Sequence, residues 1–166
     1  AEAVNKSGRT YVKEIDKERD RYTGKAGEFA VISELLFRQY NASLTSLDNG
    51  IDIIALKDGM TYYIQAKTGY YKNGKIQARL NLSQFERHDS HRTFYIIVFR
   101  YKEYGKYSNQ YFVLNSKDLR RFLGKGVIMQ KKKSTNLIIH LAEKAFYLNN
   151  KQNLKDHLNN FDQIQP

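Results

Sequence analysis

The arms Gly50-Ile51-Asp52-Ile53-Ile54-Ala55-Leu56-Lys57 and Met60-Thr61-Tyr62-Tyr63-Ile64-Gln65-Ala66-Lys67-Thr68, joined by Asp58-Gly59, decide how the chain is read. Ile recurs in the first arm and Tyr and Thr in the second, and such residues favour extended backbone. Asp-Gly is a strong two-residue hairpin signal, because both turn positions need positive φ. With Asp58 and Gly59 as the loop, Lys57 faces Met60, and the same register carried down the arms sets Asp52 opposite Gln65. Cross-strand partners point to one face of a sheet. Lys67, two residues beyond Gln65, shares that face. One end of one hairpin is therefore expected to gather an acid, an amide and an amine, with Gly50 leaving room beside them.

Outward from the hairpin, the pattern alternates between helix and strand. Upstream, Phe29, Ile32, Leu35, Leu36 and Tyr40 recur at helical spacing, which predicts a buried amphipathic helix over 25–40. A separate charged helix is expected over 9–22, with Tyr11, Ile15 and Tyr22 on a thin apolar stripe and Thr23-Gly24 as the break. A short strand is expected over 43–47. Downstream, 76–82 reads as a weaker strand. Ser83 with Glu86 reads as a capping box opening a helical turn. The run Thr93-Phe94-Tyr95-Ile96-Ile97-Val98-Phe99-Arg100-Tyr101 is almost continuously apolar, as in a central strand buried on both faces. Residues 110–114 read as a strand, 116–123 as a helix capped by Ser116, and 137–141 as a last strand. From Ala142 the tail is expected to be helical, with Phe146, Leu154, Leu158 and Phe161 along one side. The order predicts an α/β fold, a mixed β-sheet flanked by helices. It divides into a charged extension or helix (1–22), a core domain (23–141) and a helical tail (142–166).

The length, 166 residues, suits one domain. Cysteine is absent, which excludes disulfides, thiol nucleophiles and Cys-ligated metal centres. No apolar run approaches the roughly 20 residues that span a bilayer. No charged-then-apolar leader is read at the start, and the expectation is an intracellular, cytoplasmic protein. Lys plus Arg total 28 against 17 Asp plus Glu, a formal charge of +11. That excess favours anionic partners, nucleic acid first and an anionic membrane surface second. A base-composition bias toward Lys, Asn, Ile and Tyr is the plain alternative.

The hairpin end suggests a chemistry. A carboxylate at Asp52, the side-chain carbonyl of Gln65 and the backbone carbonyl of Ala66 are hard oxygen donors of the kind Mg2+ prefers. Lys67 is suited to orient water and stabilise developing phosphate charge. The set fits metal-assisted attack of water on a phosphodiester. An acid between Ile51 and Ile53 is costly to bury unless paired or bound to a cation, and an ion pair with Lys67 is the bland reading.

These residues resemble the PD-(D/E)XK nuclease superfamily, the restriction-endonuclease-like fold, over roughly 24–123. Asp52 matches the metal-binding Asp of the second core strand. Gln65-Ala66-Lys67 matches the (D/E)XK element in its Gln variant, as in Mrr-like, resolvase-like and homing endonucleases. Glu28, in Gly27-Glu28-Phe29-Ala30, matches the acid of the first helix. The helix and the Thr93–Tyr101 run fit a core order αβββαβ. Ile51 stands where the family name has proline, and Gln65 removes one acid. The resemblance implies a Mg2+-dependent DNA endonuclease, with Mn2+ as substitute, acting as a homo-oligomer (dimer or tetramer). Glu28, Asp52, Gln65 and the Ala66 carbonyl would hold the metal, and Lys67 would complete the catalytic group. A non-catalytic nucleic-acid-binding protein of the same fold is the alternative, and Gln65 is its support.

DNA-backbone contacts are expected from Lys25, Tyr70, Tyr71, Lys72, Lys75, Arg79, Arg87, Lys131, Lys132 and Lys133. The stretch Arg87-His88-Asp89-Ser90-His91-Arg92 holds two histidines, but no further ligand completes a zinc set. His140 reads as a hydrogen-bonded strand residue, and His157 as helix surface.

Overall fold

A computed structural model of the chain describes residues 2–4, 10–12, 17–47, 49–142 and 145–165, with side chains from Arg21 onward except that of Lys72. Helix α1 (Lys17–Phe37) is followed by strands β3 (Asn41–Leu44), β4 (Ile53–Lys57) and β5 (Met60–Thr68), after the short strands β1 (Glu2–Val4) and β2 (Thr10–Val12). Next come β6 (Tyr70–Lys72), β7 (Lys75–Asn81), α2 (Leu82–His88), β8 (Thr93–Glu103), β9 (Lys106–Asn115) and α3 (Ser116–Gly124). Strands β10 (Ser134–Leu141), β11 (Phe146–Leu148) and β12 (Gln152–Asn153) and a 3-10 turn at Phe161–Gln163 complete the described chain.

Two sheets result. The first runs β1-β2-β8-β5-β4-β3, with β9 also paired to β8; the second runs β12-β11-β10-β7-β6. Five strands of the first sheet, β3, β4, β5, β8 and β9, form a mixed platform in which only β5 and β8 are parallel. Parallel neighbours need a crossover connection. Here it comprises the β6–β7 hairpin and α2, inserted into the expected αβββαβ order.

β8 separates two apolar cores. Phe94, Ile96 and Val98 join Val31 and Leu35 of α1, together with Ile53, Ile64 and Ala66. Tyr95, Ile97 and Phe99 face the other way, toward Phe85 of α2, Leu119 and Phe122 of α3 and Ile76, Leu80, Leu137 and Ile139 of the second sheet. Phe112 stacks on Phe99 at 5.2 Å and meets Phe146 edge-on at 5.2 Å, which anchors β11 to β9.

Several expectations are corrected. α1 begins at Lys17 and passes through Thr23-Gly24 without a break, and residues 10–12 are strand; residues 13–16 lie outside the described chain. Gly24 costs helix propensity but not enough to end a helix held by packing. The buried stripe of α1 is Gly27-Val31-Leu35, whereas Phe29 and Leu36 are 54% and 52% exposed. The weak strand expected over 76–82 is β7 of the second sheet. Both caps lie upstream of the expected serines, Asn81 two residues before Ser83 for α2 and Asn115 one residue before Ser116 for α3, and Asn115 forms the capping box with Asp118. The tail holds no α-helix among its described residues. Leu148, Leu154, Phe161 and Ile164 are buried at spacings that a turn-rich path satisfies, aided by positive φ at Asn149, Asn150 and Asn159. His157 is not surface: its Nδ1 lies 3.1 Å from the Val113 carbonyl oxygen.

An ionic knot ties α2 to α3. Arg120 donates two bonds to Glu86, at 2.9 and 2.8 Å, and one to Asp89, at 3.0 Å. Ser116 donates to Asp89 at 2.6 Å. Burial pushes the Asp89 carboxyl up, but the Ser116 and Arg120 bonds and the Lys117 charge outweigh it and hold the group below the usual range. Glu86 is held low chiefly by its bond from Arg120. A carboxyl with a lowered folded pKa stabilises the fold above its unfolded value, about 3.9 for Asp, and loses that contribution as pH falls through the folded value. The melting-temperature gap between wild type and Asp89→Asn is therefore expected to be full above about pH 5 and to close as pH falls below about 4. Phe112→Ala is expected to cost about 3–5 kcal/mol in urea unfolding, since it opens a cavity between the two sheets.

Candidate functional site

The β4–β5 hairpin has the register expected from Asp58-Gly59, from Lys57 opposite Met60 to Ile53 opposite Ile64. Both turn residues have positive φ, 51° and 76°. Below Ile53 the ladder slips. The Asp52 amide donates to the Ile64 carbonyl at 2.9 Å, so Asp52 and Ile53 both stand against Ile64. That is the arrangement of a β-bulge, which re-aims a side chain. Asp52 Oδ2 then accepts from the Ala66 amide at 2.9 Å. The direct Asp52–Gln65 pairing extrapolated from the turn is thus replaced by a side-chain bond to the next residue. Gly50 makes the approach possible: its φ is +96°, and a Cβ there would come within 2.8 Å of the Gln84 side chain.

Helix α1 reaches the same place through Gly27. A Cβ at Gly27 would collide with the Thr68 hydroxyl, so the helix lies directly against the end of β5. Thr68 Oγ1 also donates to the Thr23 carbonyl at 3.2 Å. Glu28, next to this contact, has a 17% exposed side chain whose Oε2 lies 2.5 Å from Lys25 Nζ. Glu28, Asp52, Ala66 and Lys67 line one cleft of about 410 Å3. Tyr70, Gln77, Arg79 and Asn136 of the second sheet form its far wall, and Gln84 of α2 also lines it.

Gln65 does not line the cleft. It is 1% exposed, and its Oε1 is buried without a hydrogen-bond partner. Burying a carbonyl in this way costs about 1–3 kcal/mol. The two carboxylates and the Ala66 carbonyl that line the cleft are hard-oxygen donors that fit Mg2+, which commonly takes one or two carboxylates and keeps several waters. Among the described residues there is no cluster of three or more His, Cys, Asp or Glu.

The expected backbone-contact residues divide. Tyr70 and Arg79 are in the cleft wall. Tyr71 turns inward onto the second core, because β6 alternates and Tyr71 pairs with buried Ile76. Lys75 is half-buried opposite Lys72 and His140. Arg87 is exposed beside a different cavity, of about 510 Å3. Lys131, Lys132 and Lys133 are exposed just before β10, with the Lys133 carbonyl accepting from the Leu82 amide at 3.0 Å. The second-sheet residues Gln77 and Asn136 were not expected. The signal for Gln77 was present in Asn73-Gly74, a two-residue turn, followed by strict alternation of Lys75, Gln77 and Arg79 with Ile76, Ala78 and Leu80.

No protein-family model matches the chain, and no curated protein matches it. Among solved structures, the bacterial homing endonuclease I-Ssp6803I is similar, with TM-score 0.58 and 11% identity over 87% of this chain and 89% of that one. Archaeoglobus fulgidus Hjc, a Holliday junction resolvase, gives TM-score 0.44 and 12% identity over 69% and 82% of the two chains. The chain has the mixed α/β, restriction-endonuclease-like fold that its sequence predicts.

The unmatched Gln65 oxygen generates a stability test. Gln65→Leu is expected to raise the free energy of unfolding in EDTA by about 1 kcal/mol, because the apolar side chain removes the buried acceptor at similar volume. Urea titration of both proteins measures the difference.

Proposed function

We propose that the chain is a divalent-metal-dependent DNA endonuclease that hydrolyses phosphodiester bonds. The observation that carries this reading is the meeting of Glu28, Asp52, Ala66 and Lys67 in one cleft, from three separate elements, on this fold. Glu28, Asp52 and the Ala66 carbonyl, which line the cleft, would hold Mg2+, or Mn2+ in its place; the Gln65 side-chain carbonyl, buried outside that lining, would have to turn toward the cleft to join them. A bound ion supplies charge neutralisation at the phosphate and a water of lowered pKa. Lys67 orients the attacking water and balances charge that develops on the phosphoryl oxygens. The Ala66 amide fixes the Asp52 carboxylate so that little reorganisation is needed on binding. Gln65-Ala66-Lys67 is then the Gln form of the (D/E)XK element.

DNA is the partner that the net charge of +11 favours. No helix among the described residues is long and apolar enough to cross a membrane. The exposed Phe29, Leu36 and Phe37 of α1 support a homo-oligomer. A second reading, binding without cleavage, is favoured by one observation: Gln65 stands where the family pattern has an acid.

Magnesium-dependent cutting of linear duplex, four-way and single-stranded DNA tests the proposal. Asp52→Asn retains an oxygen for the Ala66 amide but loses the charge; it and Lys67→Ala are each expected to lower the cutting rate at least about hundredfold. Equal cutting by wild type and Asp52→Asn rejects the site. Salt-sensitive binding with no cutting in magnesium or manganese establishes the second reading instead.

A further inference from the structure

The second sheet has an outer face that neither core uses. In β7 and β10, Ile76, Ala78, Leu80, Leu137 and Ile139 are buried, while Arg79 and Asn136 are exposed and Gln77 is half-buried. Arg79 stands directly opposite Asn136, and Lys75 opposite His140. Tyr70 faces Gln77 in the adjoining hairpin. Strands β6, β7 and β10 contain no Asp or Glu. Arg79 Nε donates to Ser134 Oγ at 2.9 Å, which orients the guanidinium plane.

Two concavities meet on this face. The cleft that holds Asp52 and Lys67 shares Asn136 with a second hollow of about 330 Å3, lined by Lys131, His140 and Lys151. A continuous, acid-poor track thus runs from the cleft across β7 and β10 to two lysines. Its middle is not simply cationic. Gln77 and Asn136 carry no charge and add nothing to long-range attraction for phosphate, so a backbone-binding role does not account for them.

Arg, Gln and Asn side chains are the ones whose paired polar atoms match base edges, Arg to guanine and Gln or Asn to adenine. Two strands about 4.8 Å apart fit a major groove about 12 Å wide. We propose that the outer face of the second sheet reads base edges of duplex DNA, with Gln77, Arg79 and Asn136 as specificity-determining residues beside the cleft. The proposal rests on the nuclease reading for its substrate class, and it specifies which bases are read: those next to the phosphate in the cleft.

The test separates binding preference from cutting. The full chain is used to select bound molecules from a pool of random-sequence duplexes in EDTA, and the same pool is cut in magnesium. Wild type is expected to enrich a short motif. Arg79→Lys, which keeps the charge but not the two-pronged geometry, is expected to lose about tenfold or more in preference at one or two motif positions. Its affinity for an unrelated duplex should change less than about threefold. Asn136→Ala is expected to relax a neighbouring position. A wild-type pool with no enriched motif overturns the assignment, whether or not the DNA is cut. So does an Arg79→Lys protein that retains the full motif. Enrichment without cutting supports the reading surface while rejecting the nuclease.

Discussion

The molecule depends on one strand having no solvent-facing side. In β8 every residue from Thr93 to Phe99 is buried, alternately against α1 and against the α2–α3 layer. A strand in that position must be paired on both edges, and β5 and β9 supply the pairs. Because β5 runs parallel to β8, the chain has to leave the sheet between them and return. The path it takes, through the β6–β7 hairpin and α2, is what builds the far wall of the cleft. The wall and the chemistry are therefore consequences of the same parallel pairing.

Much of the first sheet was legible because local signals and burial agree there. Asp58-Gly59 specified its own hairpin, and an unbroken apolar run rich in β-branched and aromatic residues reads as a strand covered on both faces. The second sheet was harder to read. Its core side is made of alternate residues, and its strands come from opposite sides of β8 in sequence, so no single window contains it. The Asn73-Gly74 turn, with both residues at positive φ, shows that the punctuation was there. The tail misled for a physical reason: Phe146, Leu154 and Phe161 lie near helical spacing, but Phe146 and Leu154 pack on one core and Phe161 on the other. A turn-rich chain reaches both cores, and a straight helix cannot.

At the site, residue type was readable and geometry was not. The hairpin register brought Asp52 and Lys67 to one end correctly, yet Asp52 arrives by a bulge that no propensity announces. The bulge also alters the part played by Gln65, which lies buried and outside the cleft lining while the Ala66 amide takes the bond to Asp52. Glu28 was found through the family resemblance alone; the structure adds the physical reason for its place, since Gly27 permits the close pass over Thr68 and Glu28 is the residue after it.

The Ala66–Asp52 bond sets the balance between fold and site. Ala66 is a core residue, its methyl group packed on the α1 side, so its amide cannot shift without moving β5. A carboxylate held by that amide is fixed by the backbone rather than by flexible neighbours. Lys67 follows one residue later on the same rigid strand, which fixes the acid and the amine in a common frame. Glu28, by contrast, is placed by a helix and shares its charge with exposed Lys25. The cleft thus has a rigid side and an adjustable side. A cation entering it would draw Glu28 away from Lys25, and a phosphate would draw Lys25 away from Glu28, before either disturbed Asp52, because breaking a solvated ion pair costs less than stripping a strand amide of its partner.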